Sequence, residues 1–146
     1  MGGNMEPAKT IGITLSTFDL LHSGHVAMLR EAKTVCDYLI CGLQVDPSVD
    51  RDDKNAPVQT LVERYVQLAG VKYVDEIVCY QDENDVIDIL EMFDIKVRIL
   101  GEEYREKDFT GKEECRRKGI RLYFNKREHR FSSSDLRRRV AERESI

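Results

Sequence analysis

Between Ile11 and Lys33 an apolar run (Ile11–Leu15) gives way to small polar residues (Ser16, Thr17, Asp19). His22-Ser23-Gly24-His25 follows, and then Val26, Met28, Leu29 and Ala32 at roughly three- and four-residue spacing. The run reads as a buried strand, and the spaced residues as one face of a helix packed on a sheet. A strand that enters a helix through a glycine-containing turn gathers free backbone N–H groups and the positive helix end at one spot, which suits a phosphate. Two histidines three residues apart project to the same side if both fall in the first helical turn. Gly24 between them removes a side chain where a phosphate would approach. Two other readings stay open on the residues alone: a metal-binding pair, or a capped turn with no ligand. The metal reading is short of partners, because the one other histidine is His129 and no thiolate adjoins the turn.

The rest of the chain alternates in the same way. Tyr38–Val45 is nearly continuous apolar sequence, as a parallel strand covered on both faces is. Ser48–Ala56 is charged and unpatterned, a loop. Thr60 and Glu63 fit a capping box ahead of a helix with an apolar stripe of Leu61, Tyr65 and Leu68, ending near Gly70. Tyr73–Tyr80 is a third strand. Asp82 or Asn84 caps a helix carrying Val86, Ile87, Leu90 and Phe93. Val97–Leu100 is a strand closed by Gly101, Glu113–Lys118 a short helix, and Ile120–Phe124 a last strand. Ser132-Ser133-Ser134-Asp135 offers several N-caps for a terminal helix running to about Glu144. Such alternation predicts an α/β fold: a Rossmann-like, doubly wound parallel sheet of about five strands with right-handed crossovers. Each suspicious turn (16–25, 46–54, 101–104 and 126–134) follows a strand, so all should converge on one side of the sheet.

At 146 residues and 41% hydrophobic, the chain can bury one good core, and a single domain over 10–146 is expected. Residues 1–9 (MGGNMEPAK) lack the apolar core of a signal peptide and read as a disordered lead. No apolar run reaches membrane-spanning length, so no membrane contact and a cytoplasmic location are expected. Cys36, Cys41, Cys79 and Cys115 show no CxxC spacing, and the first three, in or beside apolar segments, read as buried reduced thiols. The net charge of −4 hides an asymmetry: residues 1–100 carry 9 Lys and Arg against 17 Asp and Glu, residues 101–146 carry 14 against 10. A basic C-terminal third in an acidic chain implies a local anion site. Nucleic-acid binding is not implied, since the cations are interleaved with acids and few aromatics.

The second strong feature is Lys126-Arg127-Glu128-His129-Arg130-Phe131-Ser132-Ser133-Ser134. Serines at a helix N-terminus preceded by cations combine hydroxyls, free N–H groups and guanidinium in a second anion cradle. The plain alternative is a capped helix with surface cations.

These residues carry a resemblance. Phe18-Asp19-Leu20-Leu21-His22-Ser23-Gly24-His25 resembles the HxGH signature of the nucleotidyltransferase superfamily. Within it the pattern is most like the cytidylyltransferases of the glycerol-3-phosphate type, G-T-F-D-L-L-H-x-G-H, with Ser16 in place of the first glycine. Arg127 and Ser132–Ser134 are similar to that family's R-T-E-G-I-S-T-T segment, with Arg130 replacing its glycine. Lys54, with Arg51 nearby, falls where relatives carry a lysine-bearing loop; alone, the stretch is a solvated charge run. Arg64 and Lys72, eight residues apart, resemble a pair of arginines that hold the second substrate's phosphate; alone, Arg64 is a surface partner for Glu63. Gly101-Glu102-Glu103-Tyr104 resembles the G-D-D-W segment beside the nucleoside. The resemblance spans roughly residues 11–140.

It implies a nucleotidyltransferase that joins CTP to a small phosphate monoester, with glycerol 3-phosphate giving CDP-glycerol and pyrophosphate as the leading pair and Mg²⁺ as cofactor. His22, His25, Lys54 and Arg127 would be catalytic. Ser16, Thr17, Phe18, Gly24, Gly101, Glu102, Ser132 and Ser133 would bind the nucleotide, and Asp19, Arg64 and Lys72 the acceptor. For Asp19, metal contact and hydrogen-bonding within the turn are equal alternatives. The same scaffold could instead use ATP, or phosphoethanolamine, phosphocholine or a sugar phosphate; a nucleotide-binding module without turnover is the alternative from another class. A homodimer is expected, with apolar surface from residues 18–21 and the helix beginning at His25.

Overall fold

The computed structural model describes residues 9–126 and 130–144. Five parallel strands, β1 (Ile11–Ser16), β2 (Tyr38–Gln44), β3 (Glu76–Tyr80), β4 (Val97–Gly101) and β5 (Arg121–Asn125), form one sheet in the order β3-β2-β1-β4-β5. Between them run α1 (Ser23–Ala32), α2 (Leu61–Ala69), α3 (Glu83–Met92) and α4 (Lys112–Lys118). A 3-10 turn at Glu102–Arg105 follows β4, and α5 (Ser133–Glu144) ends the described chain.

Two cores sandwich the sheet. On one face Leu39, Cys41, Leu43, Val97 and Ile99 meet Leu29 and Ala32 of α1 and Leu68 of α2. On the other, Ile13 and Ile40 meet Val86, Ile89 and Leu90 of α3 and Cys115 of α4. The alternation of neighbours such as Ile40 and Cys41 between the faces follows from the two-residue period of a strand. The chain leaves β1 for β2 on one side and reaches β4 on the other, so the topological switch point lies beside β1 and β4, where ligands of doubly wound sheets bind.

The capping box at Thr60 is present: its Oγ1 accepts from the Glu63 N–H at 3.1 Å, and Glu63 Oε1 accepts from the Thr60 N–H at 2.9 Å. Asp82 caps α3. The expected stripe of α2 is corrected. Arg64, not Tyr65, shares the inward face with Leu61 and Leu68, at 2% exposure against 45% for Tyr65. β3 starts three residues later than expected, because the Asp75 carboxylate accepts from the Leu39 N–H while Val74 closes a turn onto Val71.

Candidate active site

The signature turn is held by unusual backbone. Phe18 (φ 50°) and Leu20 (φ 51°) both occupy the left-handed region, which costs a non-glycine residue on the order of 1–2 kcal/mol. The surroundings that hold it are plain. Phe18 is 1% exposed and packs in the core. The Leu20 N–H donates to Gln59 Oε1 at 2.8 Å, and the Asp19 carboxylate accepts from Val58 and Gln59 N–H at 2.8 and 2.9 Å.

Both histidines are fixed through the same ring nitrogen. His22 is the N-cap of α1, and its Nδ1 accepts from the Gly24 N–H at 2.9 Å. His25 Nδ1 accepts from the His22 N–H at 3.1 Å. A ring nitrogen that accepts from an amide carries no proton, so this network assigns each neutral imidazole the Nε2–H tautomer. The rings lie 4.1 Å apart by centroid. Burial, with the charge of His22 as a smaller cause, pushes the His25 pKa down to about 4, so at neutral pH it is an uncharged donor. His22 Nε2 lies 3.1 Å from Ser133 Oγ, at the start of α5, so the N-termini of α1 and α5 meet here. Ser132 Oγ accepts from the Asp135 N–H at 3.0 Å and caps α5.

Above the carboxyl ends of the strands these residues line an open cleft of about 640 Å³. Of the residues expected from sequence, Ser16, Thr17, His22, Gly24, His25, Lys54, Gly101, Glu102, Ser132 and Ser133 all line it, with Arg51 beside Lys54. A Cβ at Gly101 would lie 2.5 Å from the Glu103 carboxylate, so the turn into the 3-10 segment needs glycine there. Arg127 lies outside the described residues.

Four of the residues expected at the site do not line the cleft. Phe18 does not line the cleft; its ring packs behind His25, 5.8 Å between centroids. Asp19 is engaged by two amides and by Arg137 Nη2 at 3.3 Å, so its carboxylate braces the signature turn against the loop before α2 and against α5. Every nitrogen of the Arg64 guanidinium donates to a main-chain carbonyl: Nε to Gln59, Nη1 to Thr17 and Gln44, and Nη2 to Val45. It thereby ties three loops together. Lys72 precedes β3, at the opposite end of the parallel strands from the cleft, and its ammonium sits 5.3 Å over the Tyr73 ring. The sequence reading missed Arg137, which no local pattern marks, and Arg98, a cation within an apolar strand that also lines the cleft.

A doubly wound sheet with two helix N-termini and paired imidazoles at its switch point defines an α/β protein with a cleft whose geometry suits a phosphate. Comparison with known proteins narrows this. Residues 13–139 match the Cytidylyltransferase-like family, and the chain belongs to that family. It is 38% identical over 114 residues to the "Bifunctional protein HldE" of Granulibacter bethesdensis, covering 75% of this chain and 23% of that one. It is 30% identical over 139 residues to the protein of the same name from Nitrobacter hamburgensis, covering 94% and 28%. The chain thus spans about a quarter of the length of these curated relatives. In fold it is similar to the lipopolysaccharide core biosynthesis protein of Thermoplasma volcanium GSS1, with a TM-score of 0.69 at 20% identity, covering 84% of this chain and all of that one. Among the described residues no helix is long and apolar enough to cross a membrane.

Proposed function

We propose that this chain transfers a nucleotidyl group from a nucleoside triphosphate, with CTP the leading donor, to a small phosphate monoester, with glycerol 3-phosphate the leading acceptor. The observation that carries the reading is the shared commitment of both histidine Nδ1 atoms to main-chain N–H groups. It turns the Nε2–H of each ring, the His22 one shared with Ser133, towards the N-termini of α1 and α5.

An oxygen of the acceptor's phosphate attacks the α-phosphorus and forms a new P–O bond. The bond from that phosphorus to the bridging oxygen of the β-phosphate breaks, and its electron pair leaves with pyrophosphate. No side-chain nucleophile and no proton transfer are needed. The protein's work is to hold two mutually repelling phosphates in line and stabilise charge as it develops. His22 and His25 donate to the α-phosphate and the bridging oxygen. Ser132, Ser133 and Arg127 hold the β- and γ-phosphates, and Lys54 with Arg51 adds positive charge across the cleft.

Magnesium, when bound, would screen the charge of the polyphosphate. Among the described residues no cluster of three or more His, Cys, Asp or Glu could hold it, and Asp19 is engaged elsewhere. Phosphate oxygens and water would be its main ligands, as is common for this ion.

A second reading, ATP as donor or a sugar phosphate as acceptor, is favoured by two observations. The nucleoside wall carries Glu102-Glu103-Tyr104 in place of the glycerol-3-phosphate pattern, and the curated relatives bear another name. The homodimer stays part of the proposal with its surface moved. Phe18 is buried within the chain, whereas Val62 (71% exposed), Val66 (64%) and Tyr65 form an apolar outer face on α2. Pyrophosphate release measured across four nucleoside triphosphates and a panel of phosphate monoesters tests the reading; no release with any pair overturns it.

A further inference from the structure

β4 runs through the middle of the sheet, and Val97 and Ile99 face the core under α1. Arg98 between them therefore points to the other face, towards α3 and α4, and is 5% exposed. Nη1 donates to the carbonyl of Thr110, and the guanidinium lies 5.0 Å from the Phe109 ring centre. The Cys115 side chain is a further hydrogen-bond partner of the guanidinium, while Nε is buried and reaches no acceptor. Among the described residues no carboxylate lies within ion-pair distance of it. Burial lowers its pKa, though an arginine keeps its charge. A guanidinium taken from water with so few partners is costly, by several kcal/mol in order of magnitude. An aliphatic side chain would fill this place on an inner strand without that cost.

Arg98 also lines the cleft, on the wall formed with Tyr80, Glu83, Val86 and Thr110. The opposite wall carries His22, His25 and Ser133, at the N-termini of α1 and α5. Attacking and leaving oxygens lie in line across the transferred phosphorus. If pyrophosphate leaves over the α1 and α5 wall, the acceptor approaches from the wall that contains Arg98. Two charges set the character of that wall. The Glu83 carboxylate accepts from the Thr110 hydroxyl through Oε2 and is otherwise exposed and screened by water, whereas the Arg98 guanidinium is buried and unscreened. A hydroxyl can accept from Arg98 while donating to Glu83. An ammonium meets an unscreened like charge.

We propose that Arg98 determines acceptor specificity: it receives the hydroxyl-bearing tail of a polyol phosphate and excludes phosphate monoesters with ammonium tails. This rests on the transfer reading above.

The test measures kcat/KM of the wild-type chain with glycerol 3-phosphate and glucose 1-phosphate against phosphocholine and phosphoethanolamine. At least one polyol phosphate should exceed the other two by about 10²-fold, as expected where a site's polar groups would otherwise be left unpaired. Arg98→Met and Arg98→Lys should raise the KM for the polyol phosphate about tenfold or more, the scale of a hydrogen bond to a charged group, with nucleotide KM unchanged. Phosphocholine or phosphoethanolamine turned over as well as both polyols overturns the proposal without any variant. So does a variant whose defect falls on nucleotide KM. If no pair releases pyrophosphate, the transfer reading fails, and calorimetry with the same compounds still decides the role of Arg98. Polyol phosphate binding that is lost in a folded Arg98 variant supports it; equal or absent binding of all four by the wild type overturns it.

Discussion

His22 and Ser133, 111 residues apart in sequence, are joined Nε2 to Oγ at 3.1 Å. The contact couples the two helix N-termini on which the proposed phosphate site is built, so the two side chains should act as a unit. Ser133→Ala is expected to weaken nucleotide binding about three- to tenfold, the range of one hydrogen bond. The double variant with His22→Ala should cost less than the sum of the singles. Calorimetric Kd values for the four corners of this cycle check it; strict additivity would show that the contact does not couple the helices.

Asp19 makes a prediction about order. Burial alone would raise its pKa, but the Val58 and Gln59 N–H groups and Arg137 outweigh that and hold it below the ordinary carboxylate value. The stabilisation is therefore present above about pH 4 and is lost as pH falls through the lower folded-state pKa. Asp19→Asn should lower Tm, and it should also speed proteolysis of the loop before α2, because that loop loses its carboxylate anchor. An unchanged digestion pattern would mean that Gln59 and Arg64 alone hold it.

His25 has its pKa depressed in the fold to about 4 from 6.5. Between these values the unfolded chain binds the extra proton, so stability falls as pH drops from 6.5 towards 4, by on the order of 3 kcal/mol if the whole shift is expressed. Imidazole NMR should show His25 neutral with its proton on Nε2 at pH 6. A His25 that titrates near 6.5 would contradict the burial and the tautomer together.

Much of this arrangement was legible because its causes are local. The strand at Ile11, the glycine turn with two histidines and the Thr60-Glu63 box each declare themselves within a few residues. The role of Arg64 was not legible, since the carbonyls that hold it include those of Thr17, Gln44 and Val45, which only the fold brings near. Lys72 is a different lesson. It precedes the strand expected from Tyr73, so the direction of the strand already placed it at the edge away from the ligand. Arg98 was visible as a cation inside Val97–Leu100, but its meaning depends on which face of the sheet it enters.

The outer face of α2 predicts association. Light scattering should give about twice 16.9 kDa, and Val62→Glu with Val66→Glu should give the monomer, because paired carboxylates do not desolvate in an apolar interface. A wild-type mass near 17 kDa at working concentration would remove the dimer from the account.

The proposed chemistry turns on two imidazole N–H donors acting on charge that develops during transfer. The most direct measurement is kcat for pyrophosphate release by His22→Ala and His25→Ala, each shown folded by circular dichroism, against the wild type with its best nucleotide and acceptor. A fall of about 10²-fold or more in each is predicted, the scale for removing a donor aimed at developing charge. Folded variants that turn over at near wild-type rates would contradict the assignment of this site.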